Sequence, residues 1–272
     1  MKIRLCLLNL FLLFFHMLTA QEVRSVQKAR TLTGSFTYFM PDELGNIFAL
    51  TSAGQLKKYN SNFDSTGSFN EIRRYGKLHS ISAENPLRSL LFFKEFRTIL
   101  VLDRMMQVVN KIDLRKAQIF QVQAVAQSYD NMIWVFDEQE SKIKKINDEG
   151  KLVFESADLR LIFSDAISPS TIFDMGGYLY LYDQEHGLFI FDYYGALKNR
   201  IALLGWKNVQ PLGKGVVGIR GSQMLFYTPN TIDIKEVPLP EEISRAERIR
   251  LAIKGCYVID NDGITWYAWK NN

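Results

Sequence analysis

Apolar residues along this chain come in short paired runs. In "DNMIWVFDEQESKIKKINDEG", residues 130–150, two such runs, Met132 to Phe136 and Ile143 to Ile146, flank a polar turn. Related pairs recur as "GNIFALTSAGQLKKYNSNFDSTG" at 45–67, "RTILVLDRMMQVVNKID" at 97–113, "GYLYLYDQEHGLFIFDYYG" at 177–195, "GVVGIRGSQMLFYT" at 215–228 and "GCYVIDNDGITWYAW" at 255–269. Aligning Ser52, Asp103, Asp137, Asp183, Arg220 and Asp260 as equivalent positions gives steps of 51, 34, 46, 37 and 40 residues. A four-stranded propeller blade needs about 40 to 45 residues, so the period fits one blade per hairpin.

Strand composition agrees. "ILVLD", "MIWVFD", "YLYLYD" and "LFIFD" are apolar or aromatic on both parities, the pattern of strands covered on both faces. Second strands such as "KIKKIN" alternate more, as expected nearer a rim. The expected fold is all-β: a six-bladed β-propeller of four-stranded antiparallel blades, each hairpin forming a middle pair. A β-sandwich or irregular barrel is the runner-up, but neither requires six copies at one period.

Strands expected after the hairpins lie at Phe69–Arg73, Ile119–Val125, Lys151–Glu155, Asn199–Leu203 and Ile232–Val237. Those expected before them lie at Gly34–Phe39, Leu87–Phe93, Thr171–Met175, Gln210–Lys214 and Arg248–Lys254. The last hairpin leaves its blade one strand short, and Val23–Ala29 is placed to fill it. An N-terminal strand joining the last blade closes the ring and removes an exposed edge. Helix signals are few: "PEEISRAERIR" at 240–250, and "SADLRLIF" at 156–163 with Ser156 as the N-cap.

Composition is ordinary for a globular protein, with 47% hydrophobic and 23% charged residues. The N-terminus departs from it: Lys2 and Arg4 precede an apolar stretch, Leu5 to Leu18, ending at Thr19-Ala20. That layout predicts a signal peptide over 1–20, leaving 21–272 as a single propeller domain. The apolar run is short of the roughly 20 residues of a membrane span, so no transmembrane segment is expected after cleavage. Cleavage removes Cys6 and leaves Cys256 as the one thiol, which excludes an internal disulfide. It also lowers the formal charge from +4 to +2 by removing Lys2 and Arg4. No basic block stands out, which argues against nucleic-acid binding.

Chemical candidates are sparse. Only His79 and His186 remain beyond the signal segment, too few for a His-rich metal site. The recurring Asp at the end of a first hairpin strand fits a turn that hydrogen-bonds its own backbone better than a cation site. "GKGVVG" at 213–218 matches a dinucleotide fingerprint in letters, but "IRGSQMLFYT" follows it where a helix is required. No catalytic residue, metal or cofactor is assigned. Inner-strand polar groups Glu84, Asn85, Tyr129 and Asp174 are candidates for an axial ligand site. Tyr193, Tyr194 and Trp206, in or near loops, are candidates for contact with a partner.

Asp130-Asn131, Ile133, Val135, Asp137, Ile143, Lys145 and Gly150 resemble the "D-G-x-hydrophobic-x-V-x-D…R-I-x-K…G" rhythm of NHL-type six-bladed propellers. That resemblance implies a scaffold or an enzyme with metal ligands on the axis, and no such ligand set maps onto this sequence. Two functional expectations follow. One is a non-enzymatic exported scaffold, monomeric by itself, periplasmic or, failing that, extracellular, that binds a protein partner such as an outer-membrane assembly or export complex. The other is an axial-pocket enzyme or carbohydrate or small-ligand binder of the lactonase-like kind.

Overall fold

A computed structural model describes residues 25–231, 233–246 and 248–270. The expected signal segment, residues 1–20, lies outside the described residues.

Strand β1 (Val26–Thr33) is followed by blade 1, with β2 (Phe36–Pro41), β3 (Ile47–Thr51), β4 (Leu56–Tyr59) and β5 (Ser65–Phe69). Blade 2 holds β6 (Ser80–Asn85), β7 (Arg88–Phe93), β8 (Thr98–Asp103) and β9 (Val108–Asp113). Blade 3 holds β10 (Val122–Gln127), β11 (Ile133–Asp137), β12 (Lys142–Ile146) and β13 (Leu152–Glu155). Blade 4 holds β14 (Thr171–Met175), β15 (Tyr178–Asp183), β16 (Gly187–Phe191) and β17 (Leu197–Ile201). Blade 5 holds β18 (Lys207–Leu212), β19 (Gly215–Arg220), β20 (Gln223–Tyr227) and β21 (Ile234–Pro238). Blade 6 takes β22 (Ile249–Ala252), β23 (Gly255–Asp260) and β24 (Gly263–Trp269), and β1 supplies its fourth strand.

The six-bladed expectation holds, including ring closure: β1 runs antiparallel to β24 from Val26↔Trp269 to Thr33↔Gly263. Pairing removes the edge that β24 would otherwise present. The described core divides into six apolar clusters, one between each pair of neighbouring blades, which explains the double parity of the inner strands. In β11, Ile133 and Val135 pack toward blade 2, while Trp134 and Phe136 pack toward blade 4. In β15, Leu179 and Leu181 face blade 3, and Tyr180 and Tyr182 face blade 5.

Blade 2 corrects one alignment. Its middle pair is β7–β8, so "RTILVLDRMMQVVNKID" contains the third and fourth strands, and Asp103 is not equivalent to Asp137. Lys94 holds the equivalent place, which makes the first two steps 42 residues (52 to 94) and 43 (94 to 137). Hydrogen bonding separates the two turn types. Asp137, Asp183 and Asp260 accept from backbone N–H groups two and three residues on. Asp103 accepts from those of Met105 and Gln107, two and four residues on, as Asn60, Asn147 and Asp192 do in third-to-fourth-strand turns. The recurring Asp is therefore a turn device.

Three flanking strands shift: Leu87–Phe93, expected before the blade 2 hairpin, is β7, the first strand of that hairpin, and β6 precedes it. β10, expected to follow the blade 2 hairpin, is the inner strand of blade 3, and β5 ends at Phe69, before a 3-10 turn at Ile72–Tyr75. The helix α1 (Glu241–Ser244) forms one turn after Pro240. At 159–161 a 3-10 turn is capped by Asp158, which accepts from the Arg160 N–H; Ser156 instead accepts from Ile143 N–H and donates to the Ala157 carbonyl.

Antiparallel order puts the first-to-second and third-to-fourth strand turns at one end of the ring, here called the upper end. Second-to-third strand turns and the links between blades lie at the lower end.

Candidate functional site

The sequence candidates separate into three places. Tyr129, Asp174 and Tyr193 come together at the upper end, where the β10–β11 turn meets blade 4. Asp174 Oδ2 accepts from Ser128 Oγ, the Tyr129 N–H and Trp134 Nε1 at 3.1–3.3 Å, and Oδ1 accepts from the Tyr193 hydroxyl at 2.5 Å. Burial and that bond to a carboxylate push the Tyr193 phenol well above the tyrosine range. Tyr129 stacks on Tyr193 with ring centroids 4.8 Å apart.

The three aromatic rings enclose a cation that belongs to the chain itself. Lys145 Nζ lies 4.6 Å from the Trp134 ring centre, 5.0 Å from Tyr129 and 5.7 Å from Tyr193, and pairs with Asp130 Oδ2 at 2.5 Å. Burial opposes ionisation of Asp130, but the hydrogen bonds from Lys145 and the Met132 N–H outweigh it and hold the carboxyl below its usual range. Asp130, Lys145, Ser128, Asp174, Trp134 Nε1 and the Tyr193 hydroxyl all have partners within the fold, so the chemistry of this cluster is that of a clamp joining blades 3 and 4.

Glu84 and Asn85 do not join it. Asn85 Nδ2 donates to Asn131 Oδ1 at 3.2 Å, bridging the upper turns of blades 2 and 3. Glu84 faces the central axis. Ile81 and Ala83 of β6 pack toward blade 1, so Ser82 and Glu84 turn toward blade 3. There Ser82 Oγ accepts the Gln127 N–H at 3.2 Å and donates to Glu84 Oε2. The Glu84 side chain is open to solvent, yet desolvation raises its carboxyl pKa and Arg250, from blade 6, acts on it electrostatically. Access to water with protein on every side is what an axial channel produces.

The residues missed from sequence complete that channel. Ile249 and Leu251 of β22 pack toward blade 5, which turns Arg250 the other way, toward Tyr38 and Glu84. The Arg248 guanidinium lies 4.2 Å from the Tyr38 ring centre, and the Ile81 N–H donates to the Tyr38 hydroxyl. Period-two alternation of β6 and β22 carries this signal: polar side chains at every second position of an innermost strand.

Tyr194 is 88% exposed, whereas Trp206 is 2% exposed and corrects the expectation of a surface anchor. Its indole packs between blades 4 and 5, where Gly218 leaves room for it, and its carbonyl accepts from the Tyr182 hydroxyl. His79 bonds the Gln123 carbonyl at 2.9 Å between blades 2 and 3, and burial lowers its pKa. His186 lies in a lower turn beside Asp183. "GKGVVG" leads into strand β19, with no helix to receive a pyrophosphate.

Among the described residues, no three His, Cys, Asp or Glu are grouped to hold a metal ion, and no helix is long and apolar enough to cross a membrane. Two shallow depressions, beside β21 and between β1 and the β23–β24 turn, lie away from the axis.

The upper end carries a further feature. Four of its six inner turns present a large exposed apolar side chain: Ile253 (75% exposed), Leu44 (67%), Leu87 (67%) and Tyr129 (69%). They belong to consecutive blades 6, 1, 2 and 3, and Met105 and Tyr194 on outer turns of the same end extend the arc. The lower end exposes Phe96, Phe120, Leu161, Ile162 and Leu204, all on turns or links of blades 2 to 5.

These features define a six-bladed β-propeller. No family model matches the sequence, and no curated protein matches it. Solved structures are similar in fold. A streptogramin B lyase aligns with a TM-score of 0.59 at 12% identity, over 92% of this chain and 88% of that one. A catalytically inactive virginiamycin B lyase from Staphylococcus aureus, with quinupristin, aligns at 0.58 and 15% identity, over 90% and 88%. A chain of the mitotic checkpoint complex aligns at 0.56 and 9%, over 86% and 77%.

Proposed function

We propose that the protein is an exported, non-enzymatic propeller that binds a protein partner through its upper end, as an accessory of an outer-membrane assembly or export complex. The observation that carries this reading is the arc of exposed apolar side chains Ile253, Leu44, Leu87 and Tyr129, one on the inner upper turn of each of four consecutive blades. Apolar exposure gathered at one end of a fold is a feature of interaction surfaces. Tyr129 and Tyr194 supply aromatic anchors of the type that carry binding energy. The signal layout of residues 1–20 supports export, with the periplasm as destination.

The test is covalent cross-linking of the exported protein in its own envelope fraction, followed by purification and identification of the attached chain. One defined partner is expected, and it is lost in the double variant Leu44→Lys/Ile253→Lys. Recovery of the wild-type chain alone overturns the reading.

A second reading, an axial-pocket enzyme or small-ligand binder, is favoured by Glu84, whose raised carboxyl in an accessible channel suits proton transfer. The two lyases of similar fold supply a reaction class to assay, and fold alone does not assign one.

A further inference from the structure

The axial channel contains polar groups that the fold does not satisfy. Arg250 Nε is buried without an acceptor, and the side-chain amide of Gln127 is buried with neither its oxygen nor its nitrogen hydrogen-bonded. Gln127 is 5% exposed. Its neighbour Val125, two residues before it on β10, packs in the cluster between blades 2 and 3. Alternation therefore aims Gln127 at the face of β6 that carries Ser82 and Glu84. Blades 6 and 3 stand on opposite sides of a six-bladed ring, so Arg250 and Gln127 approach the axis from opposite walls.

Leaving such groups unpaired is destabilising, and folded proteins pair nearly all of them with protein, water or ligand. Arg250 and Glu84 act on one another electrostatically but form no ion pair. Opposite charges thus face each other across a channel that water enters. Arg248 adds a second guanidinium, stacked on Tyr38. Glu43, from the β2–β3 turn, also acts on Glu84 electrostatically, so two arginines and two glutamates share this region.

An arginine Nε–H can only donate, so whatever completes this site must bring an acceptor. A planar carboxylate matches the guanidinium fork and offers only acceptors to it. We propose that the axial channel is a binding site for a carboxylate group, held by Arg250 and Arg248 and flanked by Gln127, with Glu84 as the resident competitor for the same arginine. This site stands independently of the apolar arc. Its carboxylate comes either from a free small acid or from an acidic side chain reaching in from a bound polypeptide.

The test is calorimetric titration of the purified protein with two probes, succinate and the blocked tripeptide acetyl-Ala-Glu-Ala-amide, with neutral succinamide as control. Binding of either probe, with succinamide inert, is expected. Arg250→Gln should weaken it at least tenfold. Glu84→Gln, which removes the competing charge, should tighten it severalfold, an effect that a merely structural role for Glu84 would not produce. Arg250→Lys keeps the charge but not the fork and should also weaken binding, which preserves the test if Arg250→Gln fails to fold. Succinate binding alone identifies a free acid as the source, and peptide binding alone identifies an acidic segment. Failure of both probes to bind the folded wild type, or equal binding by folded Arg250 variants, overturns the proposal.

Discussion

Lys144 and Asp137 form an ion pair 2.8 Å long inside blade 3, with side chains only 4% and 1% exposed, and Glu140 reaches the same amine from the surface at 2.8 Å. Desolvation works against the Lys144 cation, but its carboxylate hydrogen bonds win and raise its pKa. Lys144→Met should therefore cost about 3 kcal/mol or more, because Asp137 stays buried without its cation. The double variant Lys144→Met/Asp137→Asn should recover part of that loss, since an amide oxygen can still accept from Gln139 and Glu140. Urea midpoints of the two variants check the order. The sign of the pH effect follows from the raised lysine: the contribution is complete below pH 10.5 and is lost as pH rises through the folded value.

Asp183 behaves in the opposite sense. Burial disfavours its charge, but N–H groups of Ser168, Glu185 and His186 donate to it and hold its pKa below the usual value of 3.8. A depressed carboxylate stabilises the fold above its unfolded pKa and loses that contribution as pH falls through the folded value. Asp183→Asn should be less stable than wild type at pH 7, and the gap should narrow below pH 3.8. Chemical denaturation across the acid range measures it.

Asp174 collects donors from both sides of the blade 3–4 junction. Tyr193→Phe removes one of them and should cost about 1–2 kcal/mol. Asp174→Ala leaves Trp134 Nε1, Ser128 and Tyr193 without their acceptor and should cost distinctly more. A double-mutant cycle on Tyr193 and Asp174 should show strong non-additivity.

Gly218 lies under Trp206, and a methyl group there would sit 2.7 Å from the indole Cε3. Gly218→Ala should destabilise the protein by about 1–3 kcal/mol through overpacking. A red shift of tryptophan fluorescence in the native state would show the indole displaced.

Cys256 is fully buried, and burial pushes its thiol up to about 12. Its reaction with a thiol reagent at pH 8 should therefore require opening of the structure. The labelling rate should rise with urea in step with global unfolding, and labelling at the rate of a free thiol in native buffer would contradict this.

The architecture was legible because turn chemistry and apolar runs repeat together, and the one misaligned blade shows what that reading depends on. Blades 3, 4 and 6 close their middle hairpins with Asp137, Asp183 and Asp260. Blade 2 has Lys94 at that place and Arg97 in the left-handed region, at φ 50°, where blade 4 has Gly187. Without Asp or Gly to mark the turn, the next Asp, Asp103, draws the alignment nine residues on. Among site residues, Tyr129, Asp174 and Tyr193 do converge, through contacts between different blades. Trp206 was misplaced because a loop position does not report whether the loop is covered. Arg250 escaped notice because "RIRLA" read as an ordinary strand, and only ring geometry makes every second side chain of an inner strand face the axis.

The pairing of β1 with β24 leaves Ser25 and Lys270 joined by a backbone hydrogen bond of 3.0 Å at the upper end. The ring is therefore cut at an arbitrary point of its own circumference. A short peptide bridging residue 270 to residue 25 would restore a turn like those of the other five blades. New ends could then be opened in the exposed lower link at Ser164–Asp165, and the permuted chain should assemble the same six sectors in rotated order.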